Sequence, residues 1–277
     1  MYKQYNLLLL KKLNTSMKSV IWHDICFLYS VDSISLTTQD IPVKNERSRG
    51  TIIDLAARAG GGVAAIHPPL AVSAPHPSVH LVWRLVLKRI VDVVAGVVGL
   101  VLFAPVFALI AIAVKLDSKG PAFYSQERLG RFGETFKIHK FRTMKVDAEL
   151  SGPQWAAGKE DPRMTRLGRI LRRTHLDELP QIANVLKGDM SLVGPRPERP
   201  CFVEDLHRAI PSYDERLYIK PGMTGLAQVH YRYDTSLSDV KRKLRFDLLY
   251  VKRMCLALDA RILVWTVVVI VTGRGIR

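Results

Sequence analysis

IVDVVAGVVGLVLFAPVFALIAIAV, Ile90 to Val114, is the stretch that decides how this chain is built. Its only charge is Asp92. As a helix rising about 1.5 Å per residue, it is long enough to cross a hydrocarbon core of about 30 Å. Pro105 lies inside the run, where its ring removes a backbone donor and crowds the preceding turn, so a bend near Phe103 to Pro105 is predicted. Arg84, Lys88 and Arg89 precede the segment, and Lys115, Lys119, Arg128 and Arg131 follow it. Under the positive-inside rule both ends fall on the cytoplasmic face. The segment therefore reads as a re-entrant helical hairpin that enters, bends at Ala104–Pro105 and leaves by the same face. A tilted transmembrane helix with an ordinary proline kink meets the same physical requirements and stays open. A buried soluble helix fits less well, because the run is apolar on nearly every face.

Outward from this segment, composition sets the bounds. The 277 residues are 48% hydrophobic and 24% charged, enough for a sizeable core and against disorder along the whole length. A formal net charge of +16 favours anionic partners such as lipid headgroups, nucleotide phosphates or nucleic acid, without choosing among them. Cys26, Cys201 and Cys255 are far apart and form no C-x-x-C pair, which argues against a disulfide framework and a structural zinc site and fits a reducing cytoplasm. Residues 1–80 read as an extension whose 56–79 portion is a linker rich in Ala, Gly and Pro. Its short LLLL tract, followed by Lys11 and Lys12, does not read as a secretory leader. His67, His76 and His80 lack carboxylate or cysteine company there, so no metal site is assigned to them.

Downstream, PAFYSQERLGRFGETFKIHKFRTM predicts a β-hairpin turning at Gly130 to Gly133, followed by a loop over 145–163. Thr165 to Arg173 has helical spacing, and a second short helix runs from about Pro180 to Lys187, stopped by Gly188. Val240, Leu244, Leu248 and Val251 share one helical face with basic residues around it, which suits a lipid–water interface; a core helix with a solvated basic face explains the same pattern. Ile262 to Thr272 is too short to span, so it should lie in the interface or pack on the domain. The fold class is thus α+β, with a membrane segment at 81–116 and a compact, mostly helical cytoplasmic domain at 117–277.

The chemistry concentrates in LDELPQ, 176–181, where Asp177 and Glu178 stand ahead of a helix start. Adjacent side chains there diverge by about 100°, so the two acids should do different work. By itself such a pair is more often a helix cap. Arg169, Arg172 and Arg173 before it, and Arg196 and Arg199 after it, supply phosphate-binding guanidiniums. In GPRP, 194–197, the two prolines restrict the backbone around Arg196.

FKIHKFRTM (136–144), LGRILRRTHLDELPQIANVLKGDMSLVGPRPE (167–198) and KPGMTGLAQV (220–229) together resemble the signature blocks of the bacterial sugar transferase family, the monotopic phosphoglycosyl transferases, over roughly 84–273. That family begins with a re-entrant helix broken at a proline, which Ala104–Pro105 resembles, with alanine where a small polar residue is common. The resemblance implies that Asp177 attacks the β-phosphate of a UDP-sugar, expelling UMP and forming a phosphosugar ester that polyprenyl (undecaprenyl) phosphate then takes up. It implies Mg²⁺ held by Asp177 and Glu178, and Arg196, Lys140 and Arg173 as phosphate-binding residues. It also implies the bacterial inner membrane, with the catalytic domain on the cytoplasmic face, and the first membrane step of exopolysaccharide or other glycoconjugate synthesis. Anionic membrane lipids, a second copy of the chain and downstream glycosyltransferases are further candidate partners. Residues 230–236, HYRYDTS, resemble exopolysaccharide-initiating members and could line the sugar pocket. The rival reading is a basic, membrane-peripheral binding module without turnover, which leaves the three blocks unexplained. No nucleic-acid-binding motif is present to support a nucleic-acid partner.

Overall fold

The computed structural model describes residues 79–148, 161–210, 212–231 and 237–272. The predicted extension up to residue 78, most of the 145–163 loop and residues 232–236 of the predicted sugar-pocket loop lie outside them.

Helix α1, Val79–Asp117, is 39 residues long and keeps its helical assignment through Pro105. It is long and apolar enough to cross a membrane by length and composition. Two stretches of it, before and after Pro105, pack on the same body. Gly96 and Gly99 lie against Leu186 and Ile182, whereas Ile110 and Val114 join a core cluster with Phe141 and Leu171. Between those contacts residues 100–105 are all exposed, a turn and a half with no packed face.

Strands β1 (Phe123–Leu129) and β2 (Thr135–Phe141) form the predicted antiparallel hairpin. Its turn holds Phe132 in the left-handed region at φ 57°, with the Arg131 guanidinium over its ring. Helix α2 (Arg166–Thr174) starts at a Thr165 side chain that accepts from Gly168 N–H, and α3 (Gln181–Lys187) ends at Gly188 with φ 100°, as glycine allows. Helix α4 (Pro200–Ala209) precedes α5 (Leu226–His230), α6 (Leu237–Arg253) and α7 (Leu256–Thr272). A second sheet, parallel and two strands wide, pairs β3 (Ser191–Val193) with β4 (Gly222–Thr224), bringing GPRP against KPGMTG.

One expectation is corrected. The apolar face of α6 does not meet lipid: Val240, Leu244 and Leu248 are buried with Leu206, Ile210, Tyr213 and Leu217. Protein and bilayer both remove apolar area from water, so periodicity alone does not tell which one covers a stripe. Helix α7 behaves as expected, burying Ile262 and Val269 while Val264, Val267 and Val271 face outward.

Buried polar groups tie α1 to this body. Asp92 Oδ1 accepts from Ser191 Oγ at 3.1 Å and Leu192 N at 3.0 Å, and Lys88 Nζ stands 2.6 Å from Asp259 Oδ2. Tyr250 OH donates to Asp259 Oδ1 at 2.5 Å. At the other end Arg142 closes the helix by donating to Ser118 O at 2.7 Å and Lys119 O at 2.5 Å. The one charge in the apolar run thus has a structural partner, as a buried charge requires.

Candidate active site

The dyad sits where three elements meet. His175 ends α2 in the left-handed region at φ 58°, an unusual place for a side chain larger than glycine, and turns Leu176–Glu178 back toward β2 as a single tight 3₁₀ turn. Asn184 fixes the far side. Its amide accepts from His139 N at 3.0 Å and donates to Lys137 O at 2.7 Å, locking α3 to the edge of β2. Lys140, on the same strand, is thereby set against Glu178.

Glu178 receives Lys140 Nζ at 2.7 Å on Oε1 and the Arg196 guanidinium on both oxygens, at 2.5 and 3.2 Å. This two-pronged geometry is specific to arginine. Burial works to raise the Glu178 pKa, but Arg196 and then Lys140 outweigh it and hold the carboxyl well below its ordinary range. Lys140 itself is pulled below the usual lysine value by burial, against the pull of Glu178.

Asp177 is the opposite case. It is buried, 6% exposed, and among the described residues its carboxylate has no hydrogen-bond partner. Burial first, and the neighbouring Glu178 charge second, raise its pKa to about 6, with Lys140, Arg172 and Arg196 acting against that rise. Two adjacent acids are thus driven apart: one clamped and held ionised, the other unclamped with its pKa raised to about 6.

Arg196 is held by its backbone as well. The four carbonyls of residues 195–198 each receive a donor. Gly222 N reaches Pro195 O at 2.9 Å, and Arg216 reaches Arg196 O at 2.8 Å. Arg128 reaches Pro197 O at 3.1 Å, and Leu129 N reaches Glu198 O at 2.9 Å. Arg216 is itself buried, 2.8 Å from Asp247 Oδ2 on α6 and donating to Tyr213 OH at 2.6 Å. The rigidity foreseen from the two prolines therefore comes mostly from strands and arginines far away in sequence.

Asp177, Glu178, Lys140 and Arg196 are brought together as expected; Arg173 is not. It is exposed on α2, and the arginine whose charge reaches Asp177 is Arg172, which also donates to Thr143 Oγ1 at 3.1 Å. One position along a helix is a rotation of about 100°, which the run of basic residues does not fix. Asn184, Arg216 and Asp247 carry no signal in the sequence, whereas Arg172 is one of the arginines preceding the dyad and Arg128 stands there only as a charge flanking the apolar run.

The family model described as bacterial sugar transferase matches residues 83–273, which take in all but the first turn of α1 and every later element above. The chain belongs to the bacterial sugar transferase family. Among curated relatives of this bacterial sugar transferase, an Aeromonas hydrophila protein named UDP-N-acetylgalactosamine-undecaprenyl-phosphate N-acetylgalactosaminephosphotransferase is 42% identical over 191 residues, 69% of this chain and 45% of the relative. A Caulobacter vibrioides UDP-glucose:undecaprenyl-phosphate glucose-1-phosphate transferase is 38% identical over 246 residues, 88% of this chain and 90% of the relative. An exopolysaccharide production protein of Rhizobium leguminosarum bv. phaseoli is 41% identical over 202 residues, 69% of this chain and 98% of the relative. The chain thus spans less than half of the Aeromonas protein and nearly all of the other two. Family membership and the long apolar helix α1, the one such helix among the described residues, make it membrane-associated.

The split between the acids has a measurable consequence. If Asp177 must be ionised to react, kcat/KM falls about tenfold per pH unit below about 6, its raised value, instead of below about 4. In Glu178→Gln the like charge disappears and Lys140 and Arg196 are released toward Asp177. Both changes favour the ionised form, so the acid limb moves to lower pH while the maximal rate falls. A pH–rate profile of the two proteins checks this; an unmoved limb removes Asp177 as the titrating group.

Proposed function

We propose that this chain transfers a sugar-1-phosphate from a UDP-sugar to polyprenyl phosphate, releasing UMP, through a phosphosugar ester on Asp177. The single observation that carries this is the unclamped, buried Asp177 carboxylate beside a Glu178 held by Lys140 and Arg196. An Asp177 oxygen forms a bond to the β-phosphorus, and the bridging bond to the α-phosphate breaks. UMP leaves with that electron pair. An oxygen of polyprenyl phosphate then attacks the same phosphorus, the Asp177–phosphorus bond breaks, and the carboxylate returns. Covalent catalysis divides one transfer between two anions into two steps.

Arg196 and Lys140 are the cations that bind the diphosphate, and Glu178 orients both. Arg172 favours the ionised Asp177. The donor set also fits Mg²⁺, which needs only one or two carboxylates because phosphate oxygens and water complete its shell. Asp177 is the ligand of choice and Glu178 the second. The ion would offset phosphate charge and lower the Asp177 pKa when bound.

The placement of α1 fits a re-entrant anchor. Both arms rest on one domain and the exposed turn and a half at 100–105 includes Ala104–Pro105, as expected of the tip of a bend immersed in lipid. Basic residues at both ends favour the cytoplasmic face of the bacterial inner membrane. The relatives' names divide between glucose and N-acetylgalactosamine, so the sugar is left to experiment. A non-catalytic membrane-binding module gives no reason for a buried, unclamped acid with a raised pKa beside a second acid held in a basic clamp.

The test is UMP release by the full chain in membranes or nanodiscs against a panel of UDP-sugars, with and without polyprenyl phosphate. One sugar should give release and, with the carrier present, a polyprenyl diphosphate sugar. No release from any UDP-sugar, with the protein folded and inserted, would end the proposal.

A further inference from the structure

Lys220 opens the KPGMTG block, and the transfer chemistry does not use it. Its ammonium stands 3.4 Å from the point where a side chain at Gly188 would begin, and a guanidinium nitrogen of Arg89 stands at the same distance. Two cations therefore converge on the carboxyl end of α3. Arg89 is partly satisfied there, donating to Val185 O at 2.5 Å and Leu186 O at 2.7 Å. Lys220 is not: among the described residues its ammonium has no hydrogen-bonded acceptor. Arg131 is the third cation, held by Tyr218 O at 3.0 Å, and its charge acts on Lys220 together with that of Arg89. Burial and these two neighbours pull the Lys220 pKa below its ordinary value.

The negative charge nearby is too small or already engaged. A helix end supplies about half an elementary charge. Asp189 is bound by Lys187 and Asn184, each at 3.3 Å, and Asp92 by Ser191 and Leu192. Capping α3 accounts for Arg89, and Asp92 and Asp189 act on Lys220 only through space, which leaves its ammonium without a bonded anion. The cluster also has a position. It lies beside the first arm of α1, where Trp83 is 60% exposed and the outward surface becomes apolar, the arrangement of a membrane-interface belt. Helix α3 has seven residues, so the cluster at its carboxyl end is about 10 Å or more from the dyad that precedes its amino end.

We propose that Arg89, Lys220 and Arg131 form a binding site for the phosphodiester headgroup of an anionic phospholipid, distinct from the Asp177 site and facing the leaflet that α1 enters. This rests on α1 lying in a bilayer. An unbonded ammonium beside the Arg89 guanidinium, with Arg131 held two residues away at Tyr218, offers the fork-and-point charge set that a phosphate takes. Arg89 immediately precedes the apolar run that opens at Ile90, a position where a lipid headgroup rather than a soluble anion is met. The headgroup would also hold the Lys220 strand, and with it β4 and GPRP, in fixed relation to the membrane surface.

The experiment places the full chain in phosphatidylcholine nanodiscs with and without phosphatidylglycerol and follows the thermal midpoint. Wild type should rise with phosphatidylglycerol. Lys220→Gln and Arg131→Gln should each lose most of that rise, measured against the same variant's own midpoint in phosphatidylcholine alone. Lys115→Gln, at the other end of α1, should keep it. An equal loss in Lys115→Gln would show diffuse attraction and overturn the site. So would a rise reproduced by inorganic phosphate in phosphatidylcholine discs, which would assign the cluster to a free anion, or by polyprenyl phosphate alone, which would assign it to the carrier. Incorporation into the discs is scored separately, so failure to incorporate sinks the anchor reading, whereas incorporation without a lipid-dependent rise sinks the headgroup site alone.

Discussion

Asp177→Asn is expected to abolish UMP release, with a loss on the order of a thousandfold or more, while the protein stays folded and inserted. The amide keeps the shape of the side chain and removes the nucleophilic charge. Folding should even improve slightly toward neutral pH. A carboxyl whose folded pKa is raised from 3.8 to about 6 binds more protons folded than unfolded between those values. It therefore costs stability as pH rises through that window, and asparagine carries no such cost. Activity and thermal midpoint thus move in opposite directions, which separates a lost nucleophile from a damaged fold. Mass spectrometry of the wild type with UDP-sugar and no carrier should find the phosphosugar on the peptide containing Asp177. Undiminished UMP release from the variant would remove Asp177 from the role.

Gly222→Ala should give the largest structural effect. A Cβ there would stand 2.0 Å from Gly194 N and 2.4 Å from Thr224 O, both backbone atoms that no rotamer change can move aside. Relief requires β3 and β4 to separate. The Gly194 N to Thr224 O bond and the Gly222 N to Pro195 O bond, both 2.9 Å, would go with them. A loss of about 3 kcal/mol is expected, a fall of about 10 °C in thermal midpoint for a domain of this size. Transfer should fall further than the folded fraction explains, because Pro195 O is one of the four carbonyl anchors that aim Arg196. Differential scanning fluorimetry together with activity per folded molecule checks both parts. A variant with wild-type midpoint and rate would show that the close approach of these two blocks is unimportant.

What was readable in the sequence follows the range of the interactions. The hairpin at β1 and β2, the Thr165 cap of α2, the Gly188 stop of α3 and the apolar run of α1 each depend on residues within a few positions of one another. Their patterns carry the physics directly. The dyad was visible as a pair, and GPRP as a rigid loop. Basic residues cover most of the α2 sequence, so only packing selects that the charge of Arg172 acts on Asp177 while Arg173 is exposed. The α6 stripe was misread as interfacial for a similar reason, since its partner was the domain's own core.

The sequence by itself determined the elements, the apolar anchor and the residue types able to handle phosphate. Tertiary structure alone decided that Glu178 is clamped while Asp177 is not, because Lys140 and Arg196 lie 38 and 18 residues from Glu178. It alone decided that Arg216 and Asp247 brace the arginine loop, and that Lys88 meets Asp259 across 171 positions. A carboxylate's pKa depends on burial and on charges within a few ångströms, and those distances exist only once the chain has folded.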